Sequence, residues 1–324
     1  DGNGDAVNVI ADGMTVAAVS GVGSGDALET EISTFHATNT TSGNIELINE
    51  GALNVTGIAN GGTGDIGLIN NGAVTVSGEV TGGGEIVFDV YGGIAIDAAM
   101  TAASDITLTA RETDPASADD DIALSGNGSV LSLNGDILLQ AGDDITSAPG
   151  SAISAPSGWL TMDVDFGDND PFGAVTDLQG TVDSTANLIL GGPTDDVIDA
   201  RNQIQPLIII GYGGDDTITG GQGPDVIYGG PGSDDISGFA GDDIVIGGSG
   251  QDTLVGGFDD DIIIGDQAEL TIGGLVFDPQ SQFLSDTGFA EDIIDGEEGN
   301  DILVGDCGRV EMDVDGNTTL VSTI

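Results

Sequence analysis

Six aspartates, Asp216, Asp225, Asp234, Asp243, Asp252 and Asp261, recur at nine-residue intervals. Each is the sixth residue of a unit that opens on glycine: 211–219, 220–228, 229–237, 238–246, 247–255 and 256–264. Position eight is always aliphatic (Ile218, Ile227, Ile236, Val245, Leu254, Ile263), the mark of a short strand burying one side chain. Glycine dominates positions one, two and four, where it lets the chain turn sharply and lets carbonyls crowd together. Carboxylates and carbonyls gathered at a repeated turn form an all-oxygen donor set, which suits a hard divalent cation. His and Cys are missing from this array, which disfavours zinc.

Composition points the same way. The 324 residues carry 56 Asp+Glu against 3 Lys+Arg, a formal charge of −53, and lysine is absent altogether. With 39% hydrophobic residues the chain is expected to fold, so its self-repulsion calls for neutralising cations. Nucleic acid and anionic membrane surfaces are excluded as partners, because Arg111, Arg201 and Arg309 are too few and too scattered to hold phosphates. Glycine-rich phosphate loops need a following lysine, which the chain lacks. The longest apolar run, Leu207-Ile208-Ile209-Ile210, is far too short to insert in a membrane. Cys307 is single, so no intrachain disulfide forms. His36 has no catalytic partners in sequence and reads as structural or exposed, Trp159 as a core aromatic, and Arg111 as an unpartnered residue within an insertion. The chain opens at Asp1 without a signal peptide and is expected to be an excised or processed part of something longer.

Upstream of the array the pattern is architectural. Short alternating strands follow a glycine or small polar residue at Gly43-Asn44-Ile45-Glu46-Leu47, Gly64-Asp65-Ile66-Gly67-Leu68, Gly84-Glu85-Ile86-Val87-Phe88 and Ser104-Asp105-Ile106-Thr107-Leu108. Their isoleucines lie 21, 20 and 20 residues apart. A second series, Leu53-Asn54-Val55, Val74-Thr75-Val76 and Ile94-Ala95-Ile96, follows each by about eight residues. Alternation means a strand with one buried face, and a fixed long period means coils stacked in register. The expectation is a parallel β-helix with two strands per coil of ~20 residues. Beyond Ile106 the period tightens and an insertion falls at 112–118, after which strands return near Ile122, Val130, Ile137 and Ile145. The units around these strands resemble the haemagglutinin-type β-helix repeats of giant bacterial adhesins, over residues 40–160. That resemblance implies a secreted or surface-displayed stalk.

The nonapeptide array resembles the RTX calcium-binding repeat, Gly-Gly-x-Gly-x-Asp-x-U-x. The resemblance implies a β-roll in which two units make one turn, so that units n and n+2 stack. Aspartates stacked in this way would repel unless a cation lay between them, and Ca²⁺ suits the site better than Mg²⁺, which demands a tighter octahedron and holds its water. The implied pairs are Asp216 with Asp234, Asp225 with Asp243, Asp234 with Asp252 and Asp243 with Asp261. A unit at 191–199 adds Asp196, stacked on Asp216 if 200–210 forms a metal-free half-turn. Units at 287–295 and 296–304 add Asp292 and Asp301, paired with Asp252 and Asp261. About four to seven Ca²⁺ ions are expected. Tyr212 and Phe239 replace the second glycine and are expected to be exposed, whereas Asp259 replaces the fourth and is expected to be left-handed.

The expected fold is all-β: a parallel β-helix over 1–185, then a calcium-binding parallel β-roll over 186–324. A looped-out hairpin is expected at 265–286 and a second at 305–324. The expected function is that of a calcium-stiffened structural or adhesive segment of an extracellular or cell-surface protein, whose partners are calcium and either a second copy or a surface polysaccharide. Two alternatives are a self-assembling filament or surface-layer subunit, and a secreted polysaccharide lyase or epimerase with an RTX tail. The last is disfavoured by the scarcity of Lys, Arg, His and Tyr beside carboxylates.

Overall fold

The structure, a computed structural model, describes residues 7–113, 120–166, 173–266, 269–272, 275–277, 293–298, 300, 302–304, 308–312 and 318–323. The described residues form strands and turns without a helix. The chain divides into two compact units: Asp1–Pro171 with Val175–Leu188, and Phe172–Ala174 with Ile189–Ile324.

The first unit is a parallel β-helix. From residue 66 the coils present three strands rather than two, so that Ile66–Asn71, Val74–Val76 and Val80–Gly82 stack on Ile86–Tyr91, Ile94–Ile96 and Ala99–Ala102. The coils before it present two, Leu28–Ile32 with Thr34–Asn39 and Ile45–Glu50 with Leu53–Asn60. The third strand escapes the sequence pattern because Val80-Thr81-Gly82 offers a single large apolar side chain. Three apolar ladders result. One runs Ile45, Ile66, Ile86, Ile106, Ile137, Leu160; the second Leu53, Val74, Ile94, Ile122, Ile145; the third Ile58, Val80, Met100, Val130, Ile153. Strand alternation sends every one of these side chains inward, and all are buried. The closer spacing beyond Ile106 is therefore the distance between successive faces, since Ile106 itself pairs with Ile137.

Polar ladders run beside the apolar ones. Asn49 Nδ2 donates to Asn70 Oδ1 at 2.9 Å and Asn39 Nδ2 to Asn60 Oδ1 at 2.7 Å, all four residues being buried. Near the surface, each rung's side chain caps the amide of the next. Asp65 N–H donates to Asn44 Oδ1, Glu85 N–H to Asp65 Oδ1, Asp136 N–H to Asp105 Oδ1 and Trp159 N–H to Asp136 Oδ1, at 2.8–3.0 Å. Trp159 is 55% exposed rather than in the core, because its strand register turns it outward. Arg111 ends the strand Ile106–Arg111, binds Asp89 through two nitrogens and lies over the Tyr91 ring at 5.7 Å, so it is not unpartnered. His36 is exposed.

The second unit repeats every 18 residues between Ile209 and Ile263, after a first step of 20 from Ile198 to Ile218. Ile198, Ile218, Ile236, Leu254 and Ile294 form one ladder; Ile209, Ile227, Val245, Ile263 and Leu303 form the other. Two nonapeptides thus make one turn of a parallel β-roll. The strand Thr253–Phe258 pairs with Ile293–Glu298, and Ile262–Asp266 with Ile302–Val304, so the ladder resumes in frame after an excursion. Within that excursion Glu269–Ile272 pairs antiparallel with Leu275–Phe277. It also pairs in parallel with Gly308–Met312, which pairs antiparallel with Thr318–Thr323. The two expected hairpins therefore join in one four-stranded sheet. The forty-residue recurrence of Gly265-Asp266 as Gly305-Asp306 becomes the register Glu269↔Arg309. Cys307 lies outside the described residues.

Candidate metal site

Asp196, Asp216, Asp225, Asp234, Asp243, Asp252 and Asp261 are 1–2% exposed, an unusual position for so many carboxylates. Asp292 and Asp301 lie outside the described residues. Two ladders bring the others together. In one, Asp196 N–H donates to Asp216 Oδ1, Asp216 N–H to Asp234 Oδ1 and Asp234 N–H to Asp252 Oδ1, at 2.8–2.9 Å. In the other, Asp225 N–H donates to Asp243 Oδ1 and Asp243 N–H to Asp261 Oδ1 at the same distances. The pairs are those the repeat implies, but one oxygen of each carboxylate holds the amide of the turn before it. Only the folded register exposes that bond; the nonapeptide pattern carries no sign of it.

The second oxygen decides the chemistry. Oδ2 of Asp216, Asp234 and Asp243 is buried and accepts no hydrogen bond. An unsatisfied buried carboxylate oxygen is costly, and the cost falls away when a cation or proton supplies the missing partner. Position-one glycines leave room beside it. A Cβ at Gly211 would overlap Asp216 Oδ2 and lie 2.7 Å from the Gly229 carbonyl. At Gly229 it would overlap Asp234 Oδ2 and lie 2.7 Å from the Gly247 carbonyl, and at Gly238 it would overlap Asp243 Oδ2 and lie 2.6 Å from the Gly256 carbonyl. Each hollow thus brings a carboxylate oxygen and a carbonyl oxygen of the next turn to one place. That donor set fits a hard divalent ion.

Electrostatics agree with the geometry. Burial first, then the neighbouring carboxylates, push Asp216 and Asp243 up to about 8 and Asp234 up to about 7, against the pull of their amide donors. Asp225 rises to about 6 and Asp196 also rises, again through burial. Tyr228 is raised by burial and by Asp234 and Asp252, and packs on the cluster of Ile246, Ile262 and Ile264.

The departures from the pattern are accommodated as left-handed residues: Tyr212 at φ 74°, Phe239 at 83° and Asp259 at 80°. Tyr212 and Phe239 are half-buried rather than exposed. A second oxygen cluster, missed by sequence reading, joins Glu112, Asp120 and Asp143 in the first unit, with carboxylate oxygens within 4.8 Å. There the Asp120 carboxylate accepts the amide and hydroxyl of Thr113, and Asp143 accepts the Asp120 amide, which closes the turn with protein donors.

A parallel roll with two nonapeptides per turn and a buried carboxylate in each is the architecture of a calcium-repeat solenoid. A family model described as RTX calcium-binding nonapeptide repeat (4 copies) matches residues 210–238, 237–268 and 286–308. The second unit therefore carries RTX repeats, and such repeats bind Ca²⁺. No curated protein and no solved structure matches the chain. Among the described residues no helix is long and apolar enough to cross a membrane.

Proposed function

We propose that the chain is a structural segment of an extracellular or cell-surface protein, whose second unit is stiffened by calcium held along the two aspartate ladders. The observation that carries this reading is the row of buried Oδ2 atoms of Asp216, Asp234 and Asp243, each facing a glycine hollow without a hydrogen-bond donor. When bound, Ca²⁺ supplies positive charge that those oxygens otherwise lack. The chain's own residues do the rest. Glycines hold the hollow open, position-eight side chains lock the register, and each Oδ1 fixes its carboxylate on a backbone amide. Extracellular calcium is plentiful and cytosolic calcium scarce, so a module with a Kd of ~10⁻⁴–10⁻³ M folds where it works.

The test is a circular-dichroism titration of the full chain. Ca²⁺ should increase the β signal and the thermal midpoint, Mg²⁺ at equal concentration should do so much less, and EDTA should reverse the change. A melt indifferent to both ions would refute the proposal.

A further inference from the structure

The nonapeptide turns of the second unit fall into two classes. In repeats 211–219, 229–237, 238–246, 247–255 and 256–264, positions two and four are both left-handed. The pairs are Tyr212 (74°) with Gly214 (120°), Gly230 (128°) with Gly232 (159°), Phe239 (83°) with Gly241 (115°), Gly248 (121°) with Gly250 (134°), and Gly257 (121°) with Asp259 (80°). In repeats 191–199 and 220–228 the same positions, Gly192 and Thr194, Gly221 and Gly223, lie outside the left-handed region.

The difference reaches the carboxylate. Gly192 N–H donates to Asp196 Oδ2 at 2.6 Å and Gly221 N–H to Asp225 Oδ2 at 2.5 Å. The other oxygens of the two residues accept the amides of Ala174 and Leu207, at 2.8 Å each. Both oxygens of both carboxylates are therefore held by backbone donors, while Oδ2 of Asp216, Asp234 and Asp243 has none. We infer that repeats 191–199 and 220–228 close on their own backbone and take no calcium, so that binding begins one turn later on each ladder. The inference rests on the calcium reading of the ladders and narrows it.

The physical reason lies in the coil before each closed turn. An ion between two turns needs oxygen from both. Before Asp225 comes the segment 200–210, which has no aspartate and meets the turn through Gln203, whose carbonyl accepts Gln222 N–H at 2.7 Å. Before Asp196 stands Ala174, which offers an amide and, as an alanine, no side-chain oxygen. Among the described residues no carboxylate stands on that side, and the turn adopts the conformation in which its own N–H meets Oδ2, so that an amide donor supplies the partner that Oδ2 of Asp216, Asp234 and Asp243 lacks. Burial accordingly lifts Asp225 only to about 6, as two amide donors oppose it.

A second sign marks the same boundary. Tyr212 and Phe239, the aromatics at position two, stand in the first left-handed turn of their respective ladders. One turn further on, glycine is required. A Cβ at Gly230, Gly248 or Gly257 would overlap the carbonyl of Tyr212, Gly230 or Phe239, respectively, because two left-handed turns now stack. Glu297, above Gly257, is the described departure, with φ 62°. The family match covers repeat 220–228 like its neighbours, so the distinction comes from the turn and not from the motif.

Calorimetric titration of the full chain gives the number of ions bound. Asp225→Asn should leave that number unchanged, and Asp243→Asn should lower it by at least one. Equal loss in both variants would overturn the inference while leaving the calcium reading intact; a wild-type chain that binds no calcium would end both. Should Asp225→Asn fail to fold, anomalous diffraction from calcium-grown crystals of the wild-type chain decides. Peaks are expected beside Oδ2 of Asp216, Asp234 and Asp243, and a peak coordinated by Asp225 or Asp196 would overturn the inference.

Discussion

Both units cap backbone amides with side-chain oxygens of a neighbouring coil, but they differ in the kind of side chain that does so in the interior. Inside the first unit Asn49 Oδ1 of the following coil accepts Ile32 N–H, whereas along a surface row the acceptor belongs to the preceding coil, as where Glu85 N–H meets Asp65 Oδ1. The second unit keeps that arrangement at position five, where Asp215 N–H meets Asp195 Oδ1 and Ser233 N–H meets Asp215 Oδ1. At position six it reverses it: the acceptor belongs to the following coil and is buried. Two interior ladders of the first unit use Asn, a neutral group satisfied by its own kind. The second uses charged Asp and leaves oxygens over. Similar solenoid physics thus gives one interior row of paired neutral amides and another of carboxylates, to which the proposed function assigns a cation.

The sharpest way to break this contrast is to remove calcium. Each site held at a hundred times its Kd contributes about 2.7 kcal/mol, and several act together. Chelation should abolish amide-exchange protection of strands such as Ile244–Ser249, while Ile86–Tyr91 keeps its protection. Equal loss in both strands would erase the distinction.

Next in size is the response to pH. The raised carboxyls of Asp216, Asp234 and Asp243 bind protons in the folded chain at pH values where the unfolded chain has lost them. Without calcium, the second unit should be most stable near pH 4 and lose stability as pH rises through 6 to 8. With saturating calcium the slope should reverse, since protons then compete for the same oxygens. Thermal melts at several pH values, with and without EDTA, should therefore cross.

Core truncation in the first unit ranks third. Phe88 is fully buried, and Phe88→Ala should cost about 3–5 kcal/mol, equally with and without calcium, as read from denaturant melts. The smallest effect belongs to the surface. Arg111→Ala removes a half-exposed pair with Asp89 and a ring contact, and should change stability by only about 0–1 kcal/mol.

Much of this architecture is legible in the sequence. The isoleucines at 45, 66, 86 and 106 fall in one ladder because their spacing is the length of a coil. Asp216, Asp234 and Asp252 stack because glycine and aliphatic positions fix a common frame. What could not be read is set by neighbours distant in sequence. The third strand of the coils between residues 66 and 102 has too few apolar residues to signal itself, although Val130 marks the same face one coil later. Trp159 turns outward through a register that its own segment does not define. Repeat 220–228 has the composition of an open turn, and what lies beneath it closes it.

The resumption of the ladder at Ile293 has a further consequence. Leu254 pairs with Ile294 across forty residues in the same way that Ile236 pairs with Leu254 across eighteen. Alignment between coils is thus enforced by contact and is insensitive to the length of chain spent elsewhere, and lengthening a loop adds only slowly to its closure entropy. The junction after Asp266 is therefore a natural grafting point: foreign sequence spliced in there should be carried as cargo, provided both flanking half-turns are returned to their places.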